Sequence, residues 1–403
     1  MDCVRKVADN LYWVGANDHR LALFENIHPL TCGISYNSYL LLDEKTVLFD
    51  TADWSVGRQF LENVTAVLAG KPLDYLVINH VEPDHAASVG EVLRHWPQAK
   101  VITSPKAAQL LAQFGFSVPA GIDTVHEGDK RCFGQHTVTF LSAPMVHWPE
   151  VMVTYDFTNG ALFSADAFGS FKALDGKLFS DEMDFEHEWL AEARRYYTNI
   201  VGKYGTQVQS LLKKVSKFDV KMICPLHGPV WRKNLSFFLD KYSHWAAYEP
   251  EERGVVIVYG SMYGNTESAA QILAAKLADR GVRNMDVFDV SSTHVSYLIA
   301  DVFRYSHLVL ASVTYNLGIF PPMKYFLEDM KALNLQNRTC AVIENGSWAC
   351  RSGTLIREAL GSMKNMRVLP QGVSLVSRMN QKDIPDMDSL ADTLAAELGI
   401  TNQ

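Results

Sequence analysis

The chain has 403 residues, a formal net charge of −8, 48% hydrophobic and 20% charged residues, a soluble globular composition with length for two or three cores. The acidic balance excludes nonspecific nucleic-acid binding, which needs a basic face, and no stretch reaches the ~18 apolar residues of a membrane span. Residues 1–6 lack the apolar core of a secretion signal and none of the six cysteines sits in a CxxC pair, so a cytoplasmic protein without a zinc knuckle or rubredoxin-type iron site is expected.

Residues 1–50 read as short strands at 11–14, 36–42 and 46–50, the last two joined by a turn at Asp43-Glu44-Lys45. A helix bearing Phe60, Leu61, Val64 and Val67 follows, ending near Gly70. Strand 75–78 then runs into Asn79-His80-Val81-Glu82-Pro83-Asp84-His85, where a helix begins. His80, Glu82, Asp84 and His85 put four metal-capable side chains on a loop that a strand end and a helix start hold rigid. Two imidazoles and two carboxylates mix borderline and hard donors, which suits iron or manganese. Alone, the stretch also reads as a polar turn, because Asp, His and Pro are ordinary loop residues.

Strands at 101–103, 138–141 and 151–155 follow, and the loop between the last two carries His147. A turn at Asn159-Gly160 leads into 161–164, which ends at Asp166. Helical sequence covers 186–215, and strand 222–225 runs into His227. Each of these residues lies just past an apolar strand, where metal sites are commonly mounted. Either histidine alone reads as a satisfied loop histidine. Jointly, HxExDH, then His about sixty residues on, Asp about twenty further and His about sixty further resembles the ligand order of the metallo-β-lactamase-like superfamily. Zinc members usually carry HxHxDH; Glu82 in place of the second imidazole turns such a site toward a redox iron pair. A helix around Phe237, Phe238, Leu239, Tyr242 and Trp245 closes a first domain placed at 1–249, and 250–254 reads as a linker.

Beyond it, regular β-α alternation fills a second domain, 255–403. Buried strands at 255–259, 287–290, 308–311 and 340–343 predict a five-stranded parallel, flavodoxin-like sheet whose ligand lies outside the carboxyl ends of the strands. The loop Ser261, Met262, Tyr263, Gly264, Asn265 and Thr266 offers hydroxyls, an amide and backbone N–H groups at a helix start, which suit a phosphate monoester. Val313, Thr314, Tyr315, Asn316 and Gly318 follow the next strand, and Asn345, Gly346, Ser347 and Trp348 the one after. Tyr315 and Trp348 suit the faces of a flat ring, or else pack into the core.

With both signatures in this order, the chain resembles the flavodiiron proteins (A-type flavoproteins) over nearly its whole length. The resemblance implies an α/β protein: an N-terminal metallo-β-lactamase-like αββα sandwich with a non-haem diiron centre, then a doubly wound flavodoxin-like domain binding FMN. It implies His80, Glu82, His147 and Asp166 around one iron and Asp84, His85, Asp166 and His227 around the other, with Asp166 bridging. It further implies reduction of dioxygen to water, of nitric oxide to nitrous oxide, or both, in head-to-tail homodimers or homotetramers of such pairs. The expected electron donor is a separate rubredoxin. Tyr196 matches a tyrosine near the family's diiron pocket and is the candidate catalytic side chain, although helix packing accounts for it equally well.

Departures from the family pattern fall around the centre: Phe24-Glu25-Asn26 replaces a Phe-His-Gly segment, and Phe168-Gly169-Ser170-Phe171 replaces Phe-Gly-Gln-His. In the flavin loops Val313, Leu317 and Ala349 stand for Pro, Asn and Gly. These changes leave iron ligation and FMN expected, and bear on substrate preference. The rival readings are a zinc hydrolase fused to a flavin domain, against which Glu82 counts, and an electron-transfer flavoprotein whose metal site is structural.

Overall fold

In the computed structural model, which describes residues 2–400, the apolar strands Tyr39–Leu42, Thr46–Phe49 and Tyr75–Val77 form the middle of a seven-stranded mixed sheet. Leu40 pairs antiparallel with Leu48, which pairs parallel with Leu76, and all three side chains are buried. A second sheet covers one face. Its five strands run in the order Lys130–Cys132, Thr137–Ser142, Met152–Asp156, Ala161–Phe163 and Met222–Cys224. Phe49 of the first sheet stacks on Phe163 of the second with centroids 3.9 Å apart, and Tyr39 meets the same ring edge-on at 5.5 Å. Helix Gly57–Leu68 turns Phe60, Val64 and Leu68 inward, as its i, i+4, i+8 spacing dictates.

Strands Thr137–Ser142, Ala161–Phe163 and Met222–Cys224 share one direction, so the chain leaves all three at the same edge. That edge carries the candidate metal ligands.

The expected strand 36–42 is interrupted. Ile34–Tyr36 and Tyr39–Leu42 flank Asn37 and Ser38, whose side chains are committed elsewhere. Asn37 accepts the Trp13 indole N–H at 2.9 Å and donates to the carbonyls of Pro225 and Gly228 at 2.9 and 2.8 Å. The expected helix 186–215 is also broken, into Phe185–Glu188, Leu190–Tyr196, a π turn Tyr197–Val201, a 3₁₀ turn Gly202–Tyr204 and Gly205–Val215. Thr198, Ile200 and Val201 are β-branched, and the two glycines weaken the α pattern further.

The second unit has five parallel strands in the order Met285–Asp289, Glu252–Gly260, Tyr305–Tyr315, Thr339–Asn345, Arg367–Leu375, with Gly318–Ile319 paired antiparallel to the third. One apolar cluster on each face, around Phe303 and Phe326 and around Leu273 and Leu390, marks the doubly wound form. Arg367–Leu375 was not singled out in the sequence, because its charged, Pro and Gly residues hide an edge strand.

The chain divides between Ser243 and His244, inside helix Leu235–Ala246, rather than at 249, and residues 252–254 lie in strand Glu252–Gly260 rather than in a linker. The buried Arg338 accounts for part of this. Its guanidinium donates to the carbonyls of Tyr248, Val302 and Phe303, tying residue 248 into the second unit. Among the described residues, no helix is long and apolar enough to cross a membrane.

Because Asn37 satisfies an indole N–H and two carbonyls inside the first unit, Asn37→Leu should destabilise the protein by roughly 3 kcal/mol. Urea unfolding checks this; a midpoint equal to the parent's would show that water replaces these bonds.

Candidate functional site

Strand Tyr75–Val77 ends into the buried Asn79, and Asp50 holds the chain there: its carboxylate accepts from the backbone N–H of Asn79 at 2.7 Å and of His80 at 3.2 Å, and from the Asn79 amide at 2.7 Å. Pro83 at the start of the short helix Pro83–Ala86 then sets the turn that sends Glu82, Asp84 and His85 to one side. The loop after Thr137–Ser142 delivers His147. The ends of Ala161–Phe163 and Met222–Cys224 deliver Asp166 and His227.

All seven sequence-predicted ligands converge, in two sets. Donor atoms of His80, Glu82, His147 and Asp166 lie within 4.8 Å of one another, as do those of Asp84, His85 and His227. Asp166 faces both sets: its Oδ2 stands 3.3 Å from His80 Nε2 and 3.2 Å from His147 Nε2, while its Oδ1 stands 3.0 Å from His85 Nε2 and 3.8 Å from His227 Nε2. Glu82 Oε2 is 2.9 Å from His147 Nε2, and Asp84 Oδ2 is 3.2 Å from His227 Nε2.

In the first set His147 Nε2 is within hydrogen-bond distance of Glu82 Oε2 and Asp166 Oδ2, but in the second set close approach is not hydrogen bonding. Both oxygens of Asp84, Oδ1 of Asp166 and the Nε2 atoms of His85 and His227 are buried and have no hydrogen-bond partner. Buried polar atoms are rarely orphaned, and orphans that point at a common centre are what cation ligands look like without the cation. The site therefore fits two cations sharing Asp166, with imidazole and carboxylate donors of the kind that suit iron.

Side chains behind the ligands fix their orientation. His80 Nδ1 donates to Glu150 Oε1 at 2.7 Å and His227 Nδ1 donates to the Ser35 carbonyl at 2.7 Å, which leaves each Nε2 lone pair facing the centre. Glu150, Ser35 and Asp50 were not singled out in the sequence. Lone polar residues up to 192 positions from the ligand they serve leave no local signal.

Without cations the cluster is a network of imidazolium and carboxylate. Burial lowers the pKa of His147, but the hydrogen bonds its ring donates to Asp166 and Glu82 outweigh it and raise the group to about 9. Burial likewise opposes the charged forms of His80 and His85, yet neighbouring carboxylates push both upward. Asp166 and Glu82 are held below the carboxylate range against burial, by His85 and His80 and by His147 and His80 respectively. Glu25 moves the other way: burial, then the charge of Glu82, raise it to about 8.

Tyr196 lies beside the centre, with its ring 5.5 Å from His227 and 5.1 Å from Phe171 and its buried hydroxyl without a partner. Gly169 makes room for it, since a Cβ there would stand 2.7 Å from Tyr196 Cε1. Phe24 meets His227 edge-on at 5.4 Å and Phe171 at 5.6 Å, giving that side of the centre an apolar wall.

In the second unit, the candidate flavin residues except Gly264 and Gly318 line one cavity of about 350 Å³ at the carboxyl ends of the parallel strands. Gly264 instead caps helix Asn265–Asp279 at φ 85° and donates its N–H to Ser261 Oγ at 3.1 Å. Gly318 pairs with Tyr315 across the turn where Asn316 and Leu317 take positive φ. Tyr315 and Trp348 are 42% and 88% exposed, which contradicts core packing for both and leaves them available to a flat ring. Ser377 was missed by sequence reading: it lines the cavity, donates to Ser347 Oγ at 2.9 Å and accepts from the Asn345 amide through its carbonyl at 2.8 Å. Hydroxyls and a fifteen-residue helix N-terminus at one end, with aromatics at the other, fit a phosphorylated planar ring such as FMN.

Residues 34–228 match the family described as ODP family beta lactamase and residues 257–370 match flavodoxin. The anaerobic nitric oxide reductase flavorubredoxin of Vibrio vulnificus is 32% identical over 85% of this chain and 70% of its own, and that of Escherichia coli O1:K1 is 31% identical over 95% and 79%. Among solved structures, rubredoxin oxygen:oxidoreductase from Desulfovibrio gigas superposes with a TM-score of 0.91 at 29% identity, covering 98% of both chains. A mutant flavo di-iron protein from Thermotoga maritima superposes with a TM-score of 0.88 at 25% identity, again over 98% of each. Two matched domains in one order, with relatives 31–32% identical over 85–95% of this chain and solved structures covered over 98%, place this chain in the flavodiiron protein family.

Proposed function

We propose that this chain is a flavodiiron oxidoreductase that reduces dioxygen to water, nitric oxide to nitrous oxide, or both, at a non-haem diiron centre with electrons passed through FMN. The observation that carries the reading is the sharing of Asp166 between two sets of donors, with the facing atoms of Asp84, His85 and His227 and the Asp166 Oδ1 between them buried and without hydrogen-bond partners. His80, Glu82 and His147 would hold one iron, Asp84, His85 and His227 the other, and Asp166 would bridge them. The irons supply the redox chemistry and the FMN in the second unit supplies electrons; the chain's own residues shape where these act.

Glu150 and Ser35 orient imidazoles, and Asp50 anchors the loop that carries four of the ligands. Phe24 and Phe171 exclude water on one side, so a small neutral ligand meets little competition there. The Tyr196 O–H has burial and no partner, which leaves it to hydrogen-bond a bound diatomic and hold a proton beside it. Glu82, a carboxylate where zinc hydrolases of this fold place an imidazole, favours iron over the hydrolase alternative.

The electron donor is a rubredoxin-type carrier, a reading supported by the names of two relatives, flavorubredoxin and rubredoxin oxygen:oxidoreductase. The chain works as a head-to-tail homodimer in the cytoplasm.

Protein purified from iron-replete cells should carry two irons and one FMN per chain and consume O2 or NO when supplied with reduced rubredoxin. Zinc in place of iron, with no gas consumed, would contradict the proposal. A pH experiment tests the centre separately. A His147 pKa raised from 6.5 to about 9 stabilises the metal-free fold fully below pH 6.5 and stops doing so as pH rises to 9. Thermal midpoints of the metal-free protein should therefore fall across that window, while those of the iron-loaded protein, where the cation replaces the proton, should not. Parallel curves for the two forms would show that His147 does not face a cation.

A further inference from the structure

Trp148 sits between the metal centre and the surface. Its ring meets the His80 ring edge-on at 5.5 Å and the His147 ring at 6.3 Å, while the Phe114 ring stacks against it at 6.5 Å with the planes 17° apart. All three separations are those of direct aromatic packing. Phe114 ends helix Pro105–Gln113 and is 46% exposed, and Trp148 itself is half-buried. The loop around it is fixed. The Trp148 carbonyl accepts the Met145 N–H at 2.8 Å, Ala143 donates its N–H to the Val151 carbonyl at 2.8 Å, and the Glu150 carbonyl accepts the Ser104 hydroxyl at 2.9 Å. One indole therefore packs on two candidate iron ligands and also reaches solvent.

Two other oxidisable rings lie as close to the ligands. Tyr36 and Tyr196 stand 5.6 and 5.5 Å from His227, but they are 3% and 0% exposed. A phenol gives up an electron readily only when its proton leaves with it, and the buried Tyr196 hydroxyl has no acceptor. An indole loses the electron first and releases its N–H proton afterwards to water, which the half-buried position of Trp148 permits. Trp54 and Trp348 are 61% and 88% exposed, so an oxidant arriving from solution meets them before Trp148.

We propose that Trp148 is the oxidative outlet of the metal centre: when O2 has reacted there and the electron donor is exhausted, the indole gives up the missing electron in place of the ligands, and a soluble thiol restores it. The inference rests on the reading that the centre holds two irons and reduces O2. The centre gains one electron, while Trp148 loses one electron and its N–H proton. A thiol returns a hydrogen atom to the indolyl radical, and two thiyl radicals so formed join as a disulfide. With no thiol present a second electron follows the first and water adds to the ring; two protons leave in all, and the residue keeps one oxygen atom taken from water.

The test uses the full-length, iron-loaded protein, cycled with excess O2 and too little donor in isotopically labelled water, with catalase present and thiol absent. Peptide mass spectrometry reads the oxygen added at each aromatic residue. Trp148 should gain labelled oxygen several-fold more often than Trp54 or Trp348, and added thiol should suppress the gain. Trp148→Phe keeps a ring against His80 and should hold the parent's iron, while oxidation moves to the peptides carrying His80 and His147. Trp148→Tyr, which restores an oxidisable ring, should return part of the protection. Oxygen at Trp148 taken from O2 rather than water, equal damage at Trp54 and Trp348, or unchanged ligand peptides in Trp148→Phe would overturn the proposal. Parent protein that binds no iron or takes up no O2 would instead refute the reading on which the inference rests, and that result appears before any labelling.

Discussion

The first unit turns on a problem of buried charge. Three carboxylates and four imidazoles gather at one sheet edge, most of them removed from water, and only opposite charge in the middle makes that arrangement affordable. Asp166 resolves the geometry by presenting one oxygen to each set of histidines. Protons fill the gap when cations are absent, which is why the histidine pKa values run upward and those of Asp166 and Glu82 downward.

Everything around the cluster serves its rigidity. Three strands of one sheet end together, a fourth strand of the other sheet delivers the HxExDH loop, and Asp50 pins that loop at its first residues. Asn37 ties the His227 loop to the strand next to Trp13. Ligand loops of this kind hold position because the elements they leave are packed on both faces. The second unit repeats the principle with a different grammar, parallel strands ending in loops around an open cavity.

The residues of the candidate metal cluster were legible because the first four fall within six residues and the others each follow an apolar strand. The flavin loops were legible for the same reason. What escaped was non-local. Glu150 supports His80 from 70 residues away and Ser35 supports His227 from 192, so neither has a sequence neighbour that betrays it. Propensity misled where tertiary demands won: Asn37 breaks a strand to make three hydrogen bonds, and Thr198, Ile200 and Val201 break a helix into a π turn beside Tyr196.

Crystals of the iron-loaded protein, measured on both sides of the iron absorption edge, address the core of the account. Two anomalous peaks should appear, one enclosed by His80, Glu82 and His147 and the other by Asp84, His85 and His227, with Asp166 between them. A single peak, or density that persists at the zinc edge and vanishes at that of iron, would contradict a shared diiron centre.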